Sequence, residues 1–161
     1  MESKDTDTKI KNLVKELNKA GKNIPTIIYE IDGIPFNNYA ELTQGLKSGD
    51  ITILRHSRLM ENSLFSAIAT SFEKFKLNLG IILMWVGMMV FSILAFLYSW
   101  WFLLGVPSSY VLGSLLVTKT YNQTIFRVAV NIESGFCFLY YLHQISIGFP
   151  KTQDIYFYNE E

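Results

Sequence analysis

Between Leu77 and Thr118 the chain runs for 42 residues without one charged side chain. A single bilayer crossing takes about 20 apolar residues, so this stretch is long enough for two. The charge is concentrated elsewhere: residues 1–76 hold 11 of the 14 Lys/Arg and 10 of the 14 Asp/Glu. One water-soluble fold does not explain so uneven a division. It predicts a small polar domain joined to a membrane-embedded helical half, and it argues against a soluble cytoplasmic enzyme.

In the membrane half, Leu77 to Leu104 reads as a first span, with Trp100 and Trp101 where a headgroup-level aromatic belt belongs. Gly105-Val106-Pro107-Ser108-Ser109 has the composition of a tight turn that reverses the chain. A weaker span is expected over 108–126, and another over 128–149, so the count is two or three. Ahead of them, residues 59–76 read as an interfacial amphipathic helix with Leu64, Phe65, Ile68, Phe72 and Phe75 on one broad face. Arg127, Glu133 and His143 fall in or beside the last span. Ionisable groups there either face a cavity or partner or reach the headgroups by snorkelling.

The amino-terminal half alternates short elements. Ile10, Leu13, Val14 and Leu17 recur at helical spacing between Asp7 and Ala20, and Gly21 stands where the helix would stop. Thr26 to Ile31 is β-branched and aromatic and closes on Asp32-Gly33, which predicts a strand and a turn. Asn38 with Glu41 three residues later resembles a capping box, opening a helix with Tyr39, Leu42 and Leu46 on its apolar face and Gly49 at its end. Ile51 to Arg55 reads as a second strand.

The stretch Ala20-Gly21, Ile28, Ile31-Asp32-Gly33, the helix Tyr39 to Leu46 and the strand Ile51-Thr52-Ile53-Leu54-Arg55 resembles the later half of a bacterial-type PDZ domain. The resemblance implies an α+β PDZ-like domain over 1–58 and peptide capture by strand addition beside the long helix, with Tyr39, Leu42, Thr43 and Leu46 lining the groove. Alternatively, these four residues cover the small sheet. The segment from Leu142-His143 to Phe149-Pro150 is similar to a helix ending in the multi-spanning regions of bacterial membrane sensors. That likeness implies the input region of such a sensor, with the spans within 77–150 and a polar tail over 151–161.

Several chemistries lack their residues. Basic and acidic side chains balance at 14 each, and no basic run suggests nucleic acid. Cys137 stands alone between Phe136 and Phe138, as a packing residue would. No HExxH, phosphate loop, GxSxG or paired CxxC is present, and His56 and His143 are the only histidines. The expectation is therefore a non-catalytic integral membrane module for sensing or protein interaction. It needs no cofactor or metal; its partners are membrane lipid and a protein or a second copy. The alternatives are a small transporter or channel subunit, or a structural subunit of a membrane assembly. The location expected is a cell membrane, multi-pass, the inner membrane in a bacterium. The amino end MESKDTDTKIKNL lacks the layout of a signal peptide. Lys74, Lys76, Lys119 and Arg127 against Lys151 place the amino-terminal domain in the cytoplasm, whereas the sensor resemblance places it outside.

Overall fold

The computed structural model of the chain describes residues 2–56 and 62–158. The helices are α1 (Glu2–Lys19), α2 (Tyr39–Ser48), α3 (Asn62–Ile68), α4 (Ser71–Leu97), α5 (Gly105–Asn131) and α6 (Glu133–Tyr141). The strands are β1 (Thr52–Arg55), β2 (Ile145–Phe149) and β3 (Asp154–Tyr156), and short 3-10 turns occupy Ile28–Glu30 and Trp100–Leu104. The chain divides into two compact units: residues 1–68 with 125–161, and residues 69–124. Among the described residues it is mostly helical, with one small sheet and two helices long and apolar enough to cross a membrane.

The first unit is assembled from both sides of the uncharged run. In α1, Thr6, Ile10 and Val14 are buried four residues apart, the spacing that puts them on one face, and the helix packs on α3 and α6. Gly21 ends it at φ 89 while the Lys22 amide returns to the Leu17 carbonyl, a left-handed cap that costs glycine little. In α2 the Asn38 side chain accepts from the Glu41 amide at 2.9 Å and Gly49 closes the helix at φ 79. The sheet is antiparallel in the order β1-β2-β3, with Thr52 opposite Gly148, Leu54 opposite Ser146 and Ile147 opposite Tyr156. Every residue from Ser134 to Tyr140 in α6 is buried, and α6 packs against β2. The core of this unit therefore sits around α6.

Two expected elements differ here. Thr26 to Ile31 forms a turn, because the Glu30 carboxylate accepts from the Thr26 and Ile27 amides and Glu133 accepts from the Ile28 amide. Those donors would otherwise serve a strand ladder, and the buried pair Ile28 and Ile31 has the three-residue spacing of a 3-10 turn. The sheet draws its second and third strands from residues 145–156. The expected span over 128–149 is likewise divided among the end of α5, α6 and β2. Ile132 is extended at φ −138, and the 9 residues of α6 reach only about 14 Å, half a hydrocarbon core. Its all-round apolar composition reflects burial in protein. Residues 57–58 of the expected polar domain, 59–61 of the interfacial helix and 159–161 of the tail lie outside the described residues.

The second unit is an antiparallel hairpin. Thr70 and Glu73 cap α4 reciprocally, the Glu73 carboxylate accepting from the Thr70 amide at 2.8 Å and the Thr70 hydroxyl oxygen from the Glu73 amide at 3.3 Å. This cap separates α3 from α4, so the helix expected over 59–76 is two helices. The chain reverses through Trp100–Leu104, upstream of the glycine-proline turn expected at 105–109, and Trp100 stacks on Trp101 at 4.3 Å. Pro107 is the third residue of α5. Its missing N–H falls among the first-turn donors that have no helical partner anyway, so it is accommodated there. The first of the two helices long and apolar enough to cross a membrane is thus Ser71–Leu97, and the weaker segment 108–126 lies inside α5.

A seam of small residues joins the two helices. A Cβ on Gly80 would stand 3.1 Å from the Gly113 carbonyl oxygen; one on Gly113 would stand 2.7 Å from that of Gly80. Farther along, a Cβ on Gly87 would meet Ser109, and one on Gly105 the Phe91 ring. Small residues allow this approach, as in membrane helix pairs. Gly80 is the buried residue of α4, whereas Trp85 is 67% and Phe96 90% exposed. Large apolar side chains cover the outside of the hairpin.

Candidate functional site

A cleft of about 510 Å³ opens in the first unit between Lys4, Asp7 and Lys11 of α1, the Thr26-Ile27 loop, and Asn131 to Ser134 at the α5–α6 junction. Helical spacing aligns the three α1 residues on one face. The extended Ile132 turns the chain so that Glu133 and Ser134 begin α6 at the cleft wall. Ser134 Oγ donates to Asp7 Oδ1 at 2.6 Å, and Lys11 Nζ donates to Asp7 Oδ2 at 2.8 Å. Glu133 Oε1 accepts from the Ile28 amide at 3.1 Å, fixing the loop on the opposite wall.

Partial burial pushes the Asp7 carboxyl up, but hydrogen bonds from Lys11 and Ser134 and the Lys11 charge outweigh it, so Asp7 titrates below its ordinary value. It is a carboxylate at neutral pH, and the serine hydroxyl is committed to it as donor. The cleft offers paired charge and hydrogen-bonding groups suited to a small polar ligand or a polar side chain of a partner. Among the described residues no group of three or more His, Cys, Asp or Glu is placed to hold a metal ion.

The four residues expected to line a peptide groove are held differently. Leu42 is fully enclosed in the core. The Tyr39 hydroxyl donates to the Ala129 carbonyl at 3.0 Å, tying α2 to the end of α5. Burial, with the nearby Glu133 charge second, pushes its phenol well above the ordinary range. Thr43 Oγ1 donates to the Ala40 carbonyl, and Leu46 is half-buried. Gly45 lets the chain return closely, since a Cβ there would overlap the Ile51 side chain. In this arrangement α2 covers the core.

Arg127, Glu133 and His143 are not brought together. Arg127 Nη2 donates to the Ile68 carbonyl at 3.0 Å, Glu133 anchors the loop at the cleft, and His143 is exposed in the α6–β2 turn at φ 53. All three belong to the first unit. Cys137 is buried in α6; burial first, then the charges of Glu133 and Glu30, pushes its thiol up to about 12, so it stays protonated and inert.

Lys4, Asp7, Lys11 and Ser134 were not readable as a site from the sequence. The Asp7–Lys11 spacing signals a helical ion pair, but nothing local links it to Ser134. On the outer sheet face, the Leu54–Ser146 pair and the His56 amide bonded to the Gln144 carbonyl bring two rows together. There the His56 Nε2, Gln144 Oε1 and Ser146 Oγ atoms are buried without a hydrogen-bond partner among the described residues. No family model, curated protein or solved structure matches this chain.

Proposed function

We propose that this chain is a membrane-anchored, non-catalytic interaction module: a two-crossing helical hairpin in the bilayer that holds a polar α+β unit at one membrane face. The observation that carries the reading is the pairing of β1 with β2 across the hairpin. Strands joined in one sheet lie on the same side of a bilayer, so the chain between Arg55 and Ile145 crosses an even number of times. The hairpin supplies the two crossings. Leu77 to Leu97 is 21 residues and rises about 31 Å, matching a hydrocarbon core of about 30 Å. Its exterior exposes Leu79, Ile82, Trp85, Met89, Ile93 and Phe96, an apolar surface suited to acyl chains.

Lys74, Lys76 and Lys119 cluster at the open end of the hairpin, while Tyr98 to Leu104 at its tip carries no charge. The positive-inside rule puts the open end, and with it both flanking segments, on the cytoplasmic side of a cell membrane. The cleft at Asp7 and Ser134 supports a sensing or partner-binding role for the polar unit.

Single cysteines at Ser48, Ser108 and Thr152, in a Cys137→Ala background, test the reading in sealed vesicles. Ser48 and Thr152 should react from one face, and Ser108 should not react from that face. Labelling of Ser48 and Thr152 from opposite faces would sink the two-crossing hairpin. Crosslinking of the full chain in its native membrane then tests the interaction role, which fails if no protein or second copy is captured.

A further inference from the structure

We propose that the open end of the hairpin is a binding collar for anionic lipid headgroups, built from Lys74, Lys76 and Lys119 with the Phe72 and Phe75 rings. The inference rests on the membrane reading above and deepens it by naming the lipid class.

The seam fixes the level of these residues. Gly80 faces Gly113 and Val117, so Lys76, one turn before Gly80, and Lys119, two residues after Val117, fall in the same layer of the hairpin. Lys74 follows about 3 Å farther out. Lys76 and Lys119 directly bound the uncharged run, which sets this layer at the boundary between hydrocarbon and headgroups.

Two observations separate the collar from ordinary solvated charge. None of the three ammonium groups has a carboxylate partner among the described residues, and no acidic residue occurs between Glu73 and Glu133. Glu73 itself is engaged in the cap, its carboxylate accepting from the Thr70 amide. The phenylalanines are the second observation: Phe72 and Phe75 are 63% and 62% exposed, and Lys76 Nζ lies 4.4 Å from the Phe72 ring centroid. Exposed aromatic rings beside lysines that have no carboxylate partner among the described residues match an interface that presents apolar chains on one side and phosphate oxygens on the other. A lysine near an anionic membrane surface contributes roughly a fivefold preference, weakened by salt.

The full chain is reconstituted in phosphatidylcholine vesicles with a trace of spin-labelled phosphatidylglycerol or spin-labelled phosphatidylcholine, and the motionally restricted fraction of each lipid is measured. The wild-type protein should restrict phosphatidylglycerol several-fold in preference to phosphatidylcholine. High salt should reduce that preference, and the combined Lys74→Gln, Lys76→Gln and Lys119→Gln variant should abolish it, whereas Lys47→Gln should leave it unchanged. Equal restriction of the two lipids by the wild type, or an unchanged preference in the triple variant, overturns the collar while leaving the hairpin in place. Absence of any restricted lipid overturns the membrane reading and the collar with it.

Discussion

The Ser134 hydroxyl donates a 2.6 Å hydrogen bond to the Asp7 carboxylate, joining α6 to α1 across 127 positions of the chain. A bond from a hydroxyl to a charged acceptor stabilises by about 1.5–3 kcal/mol, less here because Asp7 is a third exposed. Asp7→Asn combined with Ser134→Ala should give a coupling of about 1 kcal/mol in a double-mutant cycle of the full chain in detergent. The Asp7 carboxyl is depressed below 3.8 in the folded state. Its contribution is therefore present above the unfolded value and lost as pH falls through the folded one. Between about pH 5 and about pH 2, wild type should lose stability relative to Asp7→Asn; parallel losses would place the acid sensitivity elsewhere.

The hairpin seam makes a separate prediction. A leucine at Gly113 would drive its side chain into Met84 and the Gly80 carbonyl, and the carbonyl belongs to helix backbone that cannot step aside. Gly113→Leu should cost about 1–3 kcal/mol of hairpin stability, read as lower resistance to thermal unfolding in detergent. Leu112→Ala, on the exposed side of the same helix, should cost much less. Equal losses would mean that the small residues do not form the seam.

Ser146 should behave opposite to Ser134. Its hydroxyl is buried in β2 without a partner among the described residues, and such a group carries a desolvation penalty of about 1–3 kcal/mol. Ser146→Ala should leave stability unchanged or raise it by about 1 kcal/mol, measured in the same unfolding assay. A clear loss would reveal a hydrogen bond to this hydroxyl.

Cys137 offers a probe of folding. Its thiol is buried and pushed up to about 12, so an alkylating reagent at pH near 8 should leave it unmodified in the folded chain and react within minutes once the chain is denatured. Rapid alkylation of the native protein would show that the core around α6 opens.

Local signals in the sequence located much of the fold. Asn38 with Glu41 and Gly49 bracketed α2 because caps depend on residues within a turn of the helix end, and the uncharged run from Leu77 marked the two long apolar helices. What local signals missed was set by distant partners. The strand propensity of Thr26 to Ile31 yielded to carboxylates at Glu30 and Glu133 that took its amides. The uniformly apolar α6 reads alike whether lipid or protein surrounds it, and its surroundings come from α1 and β2. Pro107 looked like a turn because proline breaks helix interiors, yet in a first helical turn it breaks nothing. The cleft was the least legible part, since Asp7 and Ser134 carry no mark of each other.

The register that pairs Thr52 with Gly148 also sets an order of events during synthesis. About 90 residues separate the two strands, so at roughly 5–20 residues per second β1 waits on the order of 5–20 s for its partner to leave the ribosome. Throughout that interval the polar core cannot yet close, because α6 and β2, around which it packs, follow the hairpin in the chain. Until residues 145–149 are made, β1 lacks the strand it pairs with. Closure of the sheet is therefore a late step, and until it happens β1 presents an open strand edge.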